Sequence, residues 1–437
     1  MLTRRLGQDS STSSRPPSSD NPYRKGRVKS SARGRSGKRP GKQPGAPGTT
    51  LRLAAQPDET LSCVPEWCEC GQDLTGVPAR VERRQVVERA TPPPPVVTEY
   101  RVHHVRCPSC GVLVSGKTPV WATGRVQYGP GVLGAAAEIT CAQYVPVARG
   151  AQLLGALTGV GVSCGFMAGV RAKAAGLVKE LFMPVALRVL RDARVIHVDE
   201  TPARAAGQLA YVHVKTTDQV AVFHTGDRSA ATIDADGVLE HFSGIIVRDG
   251  YAGYEHLIAA VHAWCNAHLL RDLHAIAKTD PAQLWAIAMR DTLLEAHNLT
   301  ITAGGQGLGE LPADQLERID RLYTGAFSLG LRANEHRSTQ LAKDAYRLAK
   351  RFRDHKDMIL RFALDLDVPF TNNIAERDLR PVKIQQRTSG GTWRTLHGLA
   401  DFALVRSYLA TATKNAINTL DALTRLFKHQ PYLPAPT

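Results

Sequence analysis

The sequence has 437 residues, of which 43% are hydrophobic and 22% charged, and its formal net charge is +15. It contains no run of about 18 to 20 uncharged apolar residues and no apolar leader, which argues against a membrane or secreted protein and predicts a cytoplasmic one. The length suits about two to four domains. The positive charge favours a polyanionic partner, so the protein is expected to be nucleoid-associated.

The N-terminal segment carries most of this charge. Residues 1–52 hold 13 basic residues and only Asp9 and Asp20 as acids, a balance of +11. Residues 1–55 are rich in Ser, Pro and Gly and bury too little to offset their ordering entropy, so we predict a disordered arm. Such an arm can follow DNA phosphates, and a solubilising tail is the alternative. The predicted DNA-binding residues are Arg24, Lys25, Arg27, Arg33, Arg35, Lys38, Arg39 and Lys42.

Residues 56–120 combine predicted short strands with cysteines. VERRQVVER and VTEYRVHHVRC alternate apolar and polar residues, which is typical of strands. Cys107-Pro-Ser-Cys110 has the spacing of a zinc knuckle, whereas Cys68 and Cys70 are only two apart. Incidental cysteines are the alternative to a structural zinc site. The predicted zinc ligands are Cys68, Cys70, Cys107 and Cys110, with Cys63, His103 or His104 as substitutes.

The remaining elements are read from apolar periodicity. Residues 121–192 predict three or four packed helices, which form a DNA-binding or linker domain. VIHVD, LAYVHVKT and QVAVFHT then predict three strands, followed by a short helix at 230–240 and a fourth strand in GIIVRDG. This order is typical of an RNase H-like domain, in which helices cover a mixed sheet. A fifth strand is expected at 259–264, and helices over most of 282–362 and across 396–429.

Two predicted strands end in carboxylates. Asp199 follows Val195–Val198, and Asp249 follows Ile245–Val247. The first and fourth strands are neighbours in an RNase H-like sheet, so the two charges repel unless a divalent cation neutralises them. Oxygen ligands suit Mg²⁺ or Mn²⁺, and with a third carboxylate two ions about 4 Å apart can support phosphoryl transfer. A strand-end turn is the alternative for either aspartate alone.

The third carboxylate is predicted at Glu376 in PFTNNIAERDLRP. The competing interpretation is a capping box, with Asn373 as the N-cap and Glu376 three residues later. Arg380 lies one helical turn beyond and can orient the glutamate or contact phosphate. Pro381 is expected to end or kink the helix. Glu200 is left out of the ligand set because adjacent strand residues face opposite sides.

Several further residues are assigned from their context. Cys265 and His268 suggest a metal pair, but two ligands without partners are a weak signal, and an Asn-capped helix start is the alternative. His268 is a candidate contact of the scissile phosphate, and His197 is predicted to be a satisfied buried histidine. Cys141 and Cys164 are predicted to lie in the core. The candidate phosphate contacts are Arg106, Arg125, Lys383, Arg387 and Arg394.

The order of motifs along the chain resembles a known family. RLGQDSSTSSRPPSSD, GKRPGKQPGAPGTTL, CPSCG, VQYGP, HVDET, VRDGYAGY, CNAHLLRDL and PFTNNIAERDLRPVKIQQRTSGG occur in this order. Together they resemble the bacterial insertion-sequence family numbered sixty-six, whose members are DDE transposases with an RNase H-like catalytic domain. The resemblance implies that Asp199, Asp249 and Glu376 are the DDE triad, and that Cys265 and His268 form the C-x-x-H signature.

The resemblance also implies partners and a domain plan. The partners are terminal inverted repeats and target DNA, a second copy of the chain in a dimeric or larger synaptic complex, and two small accessory proteins of the element. The CEC spacing departs from the family pattern, as does the short stretch before Leu6, where a leucine-zipper-like helix is usual. Because the gap from Asp249 to Glu376 is long, the helices at 280–364 are expected to form an insertion.

We therefore predict a multidomain α+β protein that acts as a DNA transposase. A zinc-binding β module and a helical domain precede an RNase H-like core, which is split into 193–279 and 365–437 by the helical insertion. The predicted cofactors are catalytic Mg²⁺ or Mn²⁺ and structural Zn²⁺. The alternatives are a DNA-binding regulator without catalysis and a nuclease on the same fold.

Overall fold

The computed structural model describes residues 53–87 and 94–435, which belong to two compact units. The basic residues predicted to bind DNA, Arg24 to Lys42, lie outside the described residues.

In the unit at 53–87, a tight turn is closed by a hydrogen bond from Gly71 N to Cys68 O at 2.8 Å. No strand forms at 81–87, so the strand predicted in VERRQVV is wrong there. These residues are almost all exposed, so their alternating apolar side chains do not pack against a core.

The unit at 94–435 begins with a small hairpin and contains a five-stranded mixed sheet. The hairpin confirms only part of the strand predicted in VTEYRVHHVRC. In the larger sheet the strand order is β5-β4-β3-β6-β7; β3, β4 and β5 are antiparallel, whereas β6 and β7 run parallel to β3. This arrangement fits the predicted RNase H-like sheet. The strands are β1 His104–Arg106, β2 Leu113–Ser115, β3 Val195–Ala205, β4 Gln208–Thr216, β5 Ala221–Gly226, β6 Ile245–Arg248 and β7 Val261–Trp264.

Helices surround this sheet in the regions where apolar spacing predicts them. Within the described residues, none is both long and apolar enough to cross a membrane. The helices are α1 Pro130–Ala137, α2 Val147–Thr158, α3 Cys164–Leu177, α4 Met183–Arg191, α5 Ala230–Asp234, α6 Asn266–Thr279, α7 Leu284–Gly305, α8 Ala313–Asn334, α9 Gln340–Asp354, α10 Lys356–Ile359, α11 Arg361–Leu364, α12 Asn373–Thr388, α13 Leu396–Lys414 and α14 Thr419–Phe427.

The two faces of the sheet pack against different helices. Ile196, Val198 and Ile246 join the core formed by α1–α4, α13 and α14. On the opposite face, Val247 and Ala263 join a core formed with α6–α11. Since successive strand residues alternate between faces, the carboxylates after β6 and within β3 can be assigned to faces from these contacts.

Of the two cysteines predicted to lie in the core, one is buried and one is exposed. Cys141 is buried as predicted, but Cys164 is exposed because it is the first residue of α3, next to the N-cap Ser163.

Pro381 does not end its helix, because α12 continues to Thr388. Proline removes one backbone donor, and the packing of α12 on β3 and β4 outweighs that loss.

Candidate active site

The parallel pairing of β3 and β6 places two aspartates level with each other. Val195 pairs with Ile245, and His197 pairs with Val247. Continuing this register by two residues sets Asp199 opposite Asp249, at the carboxyl end of β6. Residues two apart on a strand face the same side, so Asp199 faces the same way as His197, and Asp249 the same way as Val247. Both aspartates therefore lie on the sheet face that α6 and α12 approach. The predicted adjacency of the first and fourth strands is confirmed.

Asp199 lies in an environment that disfavours its ionised form. Burial is the largest cause that raises the pKa of its carboxyl well above the ordinary value, and the charges of Asp249, Glu200 and Glu376 raise it further. A hydrogen bond from the backbone N–H of Glu200 to Oδ1, at 2.8 Å, partly opposes this rise. The three predicted catalytic carboxylates are therefore close enough to interact electrostatically.

A buried arginine holds the turn that carries Asp249. The guanidinium of Arg248 donates to the carbonyl oxygens of Asp249 and Tyr251, at 3.0 and 2.9 Å, and its Nε donates to Nδ1 of His262 at 2.9 Å. The carboxylate of Asp249 accepts from the backbone N–H of Tyr251 at 2.9 Å. Arg248 therefore binds the backbone of the turn and leaves the carboxylate available.

Asn372 fixes the start of α12 against the sheet. Its Oδ1 accepts a hydrogen bond from Nδ1 of His197 at 2.8 Å, and its Nδ2 donates to the carbonyl of Val198 at 2.8 Å. Its backbone N–H donates to Sγ of Cys265 at 3.1 Å. His197 is thus a buried, satisfied histidine, as the sequence predicts.

The capping box, the alternative interpretation of Glu376, is wrong. The N-cap of α12 is Asn372, not Asn373, and its side chain makes no capping hydrogen bond because its amide is used across the interface with β3. Glu376 lies in the first turn, and its side chain is about one third exposed. Its carboxylate is therefore available for another partner.

The C-x-x-H pair, Cys265 and His268, lies next to the carboxylate of Glu376. One ligand atom from each of Cys265, His268 and Glu376 lies within 4.8 Å of the others, and Nδ1 of His268 is 3.8 Å from Oε1 of Glu376. Burial raises the pKa of the Cys265 thiol to about 11. Burial also lowers the pKa of His268, against the opposing charges of Glu376 and Asp249. The sequence identifies the pair, but its third member is too distant along the chain to be recognised.

Glu200 lies on the opposite face of β3, as its exclusion from the ligand set requires. Its Oε2 accepts from the hydroxyl of Tyr254 at 2.9 Å, and its Oε1 forms an ion pair with Arg228. The Arg228 guanidinium lies 3.6 Å from the ring centroid of Tyr251. No local motif in the sequence connects the members of this group, so it could not be predicted.

A basic face of α12 begins at Glu376. Arg380, Lys383 and Arg387 follow it at intervals of four, three and four residues, which places all four on one side of the helix. Arg380 is exposed, and in the described part of the chain no ion pair joins it to Glu376. Lys383 donates to the carbonyl of Pro202, and burial, followed by the charge of Arg387, lowers its pKa to about 8.

The other candidate phosphate contacts are more dispersed. Arg125 and Arg394 are exposed. The guanidinium of Arg106 donates to the carbonyl of Gly111 at 2.8 Å, so it supports the turn that contains Cys107 and Cys110. Of the predicted basic contacts in the described residues, only those on α12 are aligned with a predicted catalytic carboxylate.

Each predicted zinc-ligand pair lies on a tight turn of its own unit. In the unit at 94–435, Gly111 N donates to Cys107 O at 2.9 Å, and the positive φ of Gly111, +74°, allows this turn. Hydrogen bonds from the backbone N–H groups of Cys110 and Ser109 lower the pKa of Cys107.

In the unit at 53–87, the backbone N–H of Cys70 has the same effect on the pKa of Cys68. Of the substitute ligands, Cys63 and His103 are exposed, and Nδ1 of His104 is engaged with Ser115 Oγ at 2.7 Å. Each turn therefore favours the thiolate form of one cysteine, Cys68 or Cys107, and the thiolate is the metal-binding form.

Comparison with known proteins places this site in a family context. A family model described as "Transposase IS66 family" matches residues 125–401, a range that contains Asp199, Asp249, Glu376 and the C-x-x-H pair. No curated protein matches the chain.

Proposed function

The chain belongs to the IS66 transposase family, and we propose on that basis that it cuts and joins DNA strands at the ends of a mobile insertion element. The reaction is phosphoryl transfer that depends on a divalent metal ion. The proposal is supported by the strand register that sets Asp199 opposite Asp249, and by the charges of Asp249 and Glu376, which add to burial in raising the pKa of Asp199.

The donor set fits a hard divalent cation. None of the ion pairs between described residues joins a lysine or arginine to Asp199, Asp249 or Glu376. Arg248, the cation beside Asp249, hydrogen-bonds the backbone of the turn and not the carboxylate. Carboxylate oxygens are the preferred ligands of Mg²⁺ and Mn²⁺. When bound, such ions activate the attacking water or 3′-hydroxyl and stabilise the leaving oxygen. The three carboxylates would hold them.

The remaining residues position the carboxylates and the DNA. Arg248 fixes the turn of Asp249, and Asn372 fixes the helix that carries Glu376. Arg380, Lys383 and Arg387 lead away from Glu376 along α12, so a DNA strand that lies on this helix presents its phosphates to the carboxylates. The basic arm is proposed to add sequence-independent affinity.

From the sequence, the cysteine pairs Cys68 with Cys70 and Cys107 with Cys110 are proposed to be ligands of structural zinc. The support is chemical, because the backbone N–H groups in each turn lower the pKa of one thiol and so favour the ligand form. Cys107→Ser should then reduce the zinc content of the purified chain. Since two ends must be held together for transposition, we also propose a dimer or larger assembly during the reaction, together with the accessory proteins of the element.

The decisive experiment is a cleavage and joining assay on the element's terminal DNA with Mg²⁺ or Mn²⁺. We expect Asp199→Asn, Asp249→Asn and Glu376→Gln each to abolish cleavage while DNA binding is retained, because binding depends on basic residues elsewhere. Asp218→Asn is the matched control, since Asp218 is an exposed acid in the turn between β4 and β5. Normal cleavage by any of the three site variants contradicts the proposal.

The same assay separates this function from other activities of the fold. Binding without metal-dependent cleavage by the wild-type chain identifies a regulator. Cleavage without joining of a 3′-end to target DNA identifies a nuclease. Only cleavage followed by joining supports a transposase.

A further inference from the structure

We propose that Cys265, His268 and Glu376 form a second metal site, which takes a transition-metal ion of the zinc class and shares Glu376 with the magnesium site. The inference goes beyond the proposed function, because phosphoryl transfer by three carboxylates requires neither a thiolate nor an imidazole. It depends on the proposed function in one respect only, namely that Glu376 is also a ligand of the magnesium site.

The first support is the distance between the donor atoms. One sulfur, one nitrogen and one oxygen atom lie within 4.8 Å of one another, and the nitrogen and oxygen are 3.8 Å apart. Zinc bonds of about 2.0 to 2.3 Å in a tetrahedral arrangement separate ligand atoms by roughly 3.3 to 3.7 Å. Small side-chain rotations are therefore sufficient to close the site around an ion.

The second support is that two of these atoms are buried without a hydrogen-bond partner. Nδ1 of His268 and Oε1 of Glu376 are both in this state. Their separation of 3.8 Å is too long for a hydrogen bond between them. Buried polar atoms are normally satisfied, and an ion between these two would satisfy both at once.

The third support is the rigidity of the elements that carry the ligands. Cys265 is the N-cap of α6, His268 lies in the first turn of that helix, and Glu376 lies in the first turn of α12. The two helix starts are linked, since Asn372 N donates to Sγ of Cys265 and Asn266 N donates to the carbonyl of Phe370 at 3.1 Å. A metal site is precise when its ligands stand on such fixed elements.

The ligand types determine the class of ion. Sulfur and imidazole select Zn²⁺, Co²⁺ or Fe²⁺ and discriminate against Mg²⁺ and Ca²⁺, which bind oxygen. Three protein ligands leave a fourth position for water or another oxygen ligand. An ion here would fix the carboxylate of Glu376, which no lysine or arginine holds in the described part of the chain.

The test counts metal ions bound to the full-length protein. Zinc is measured by atomic emission after dialysis, and Co²⁺ is used as a second probe because thiolate ligation gives it a charge-transfer absorption band. We expect Cys265→Ser and His268→Ala each to lose one ion per chain relative to wild type. Cys141→Ser is the matched control, because Cys141 is equally buried in the same unit but lies outside the cluster.

The zinc ions of the two sites must be distinguished. In a Cys107→Ser, Cys110→Ser background the proposed N-terminal zinc is removed, and we expect a cobalt band that disappears when Cys265→Ser is added. The inference is overturned if Cys265→Ser and His268→Ala keep the wild-type ion count, or if Cys141→Ser loses the same ion. If Cys265→Ser fails to fold, the comparison of His268→Ala with wild type decides the question.

Failure of this inference differs from failure of the proposed function. A chain that binds the additional ion but does not cut DNA with Mg²⁺ supports the second site and contradicts the transposase. If the wild-type chain cuts and joins DNA but has the same ion count as His268→Ala, the transposase is supported and the second site is contradicted. Asp199→Asn should retain the additional ion, because Asp199 is not one of its ligands.

Discussion

Asn372 accepts a hydrogen bond from Nδ1 of His197 at 2.8 Å, although the two residues are 175 positions apart in the sequence. Both side chains are buried. The same amide donates to the carbonyl of Val198, so one side chain joins β3 to the start of the helix that carries Glu376.

Replacing this amide should affect both stability and catalysis. Asn372→Ala leaves Nδ1 of His197 and the carbonyl of Val198 without partners, and an unsatisfied buried polar group costs about 1 to 3 kcal/mol. We expect the free energy of unfolding to fall by about 2 kcal/mol or more in urea titrations, and cleavage to fall because Glu376 is no longer held. Asn298→Ala, at an exposed position in α7, should leave both unchanged. Equal stability of the two variants would contradict this account.

The repulsion around Asp199 predicts a gain of stability from a change that removes activity. Because burial and Asp249 raise the pKa of Asp199 in the folded state, the folded protein binds more protons than the unfolded one. The stability this confers is present at low pH and is lost as the pH rises through the folded pKa. Without divalent metal at neutral pH, Asp199→Asn should therefore melt a few degrees above wild type.

Divalent metal should oppose that difference. Three carboxylates bind Mg²⁺ more tightly than the two that remain in Asp199→Asn, so we expect Mg²⁺ to raise the melting temperature of wild type more than that of the variant. Asp218→Asn should respond to Mg²⁺ as wild type does. A melting temperature of Asp199→Asn below that of wild type in the absence of metal would show that no repulsion is present.

The sheet and its aspartates could be predicted because their signals are local. Apolar runs that end in Asp199 and Asp249 identify strand ends, and strand order then brings the two together. The role of Asn372 could not be predicted, because an asparagine at a helix start has the same local pattern whether it caps the helix or bonds to a distant strand. Likewise, Cys265 and His268 alone are a weak signal in the sequence, because only the tertiary packing of α12 brings Glu376 to them.

Lys383 predicts a pH dependence of DNA binding. Its pKa is lowered to about 8 by burial and by Arg387, so it loses its positive charge as the pH rises from 7 to 9. We expect wild type to lose DNA affinity over this range by about threefold or more, measured by fluorescence anisotropy at fixed salt. Lys383→Arg should lose less, because arginine stays protonated. Parallel pH profiles for the two proteins would exclude Lys383 from the DNA contact.

Two stacked histidines on neighbouring strands, His213 on β4 and His224 on β5, predict that the fold is sensitive to acid. Their ring centroids are 4.8 Å apart. They lie next to a buried ion pair, in which Lys215 Nζ is 2.6 Å from Asp236 Oδ1. Burial is the main cause that lowers the pKa of His213 to about 4 and that of His224 to about 3, and the charge of Lys215 lowers both further. Both histidines are therefore neutral in the folded protein at neutral pH.

Unfolding returns these histidines to ordinary pKa values near 6.5, so the unfolded state binds more protons than the folded state below that pH. The stability they contribute is complete above pH 6.5 and is lost progressively as the pH falls towards 4 and then 3. We expect the urea midpoint to decrease over this range, and His213→Gln to flatten the decrease, since glutamine does not titrate. His241→Gln, at an exposed site, should keep the wild-type slope, and an unchanged slope in His213→Gln would refute the assignment.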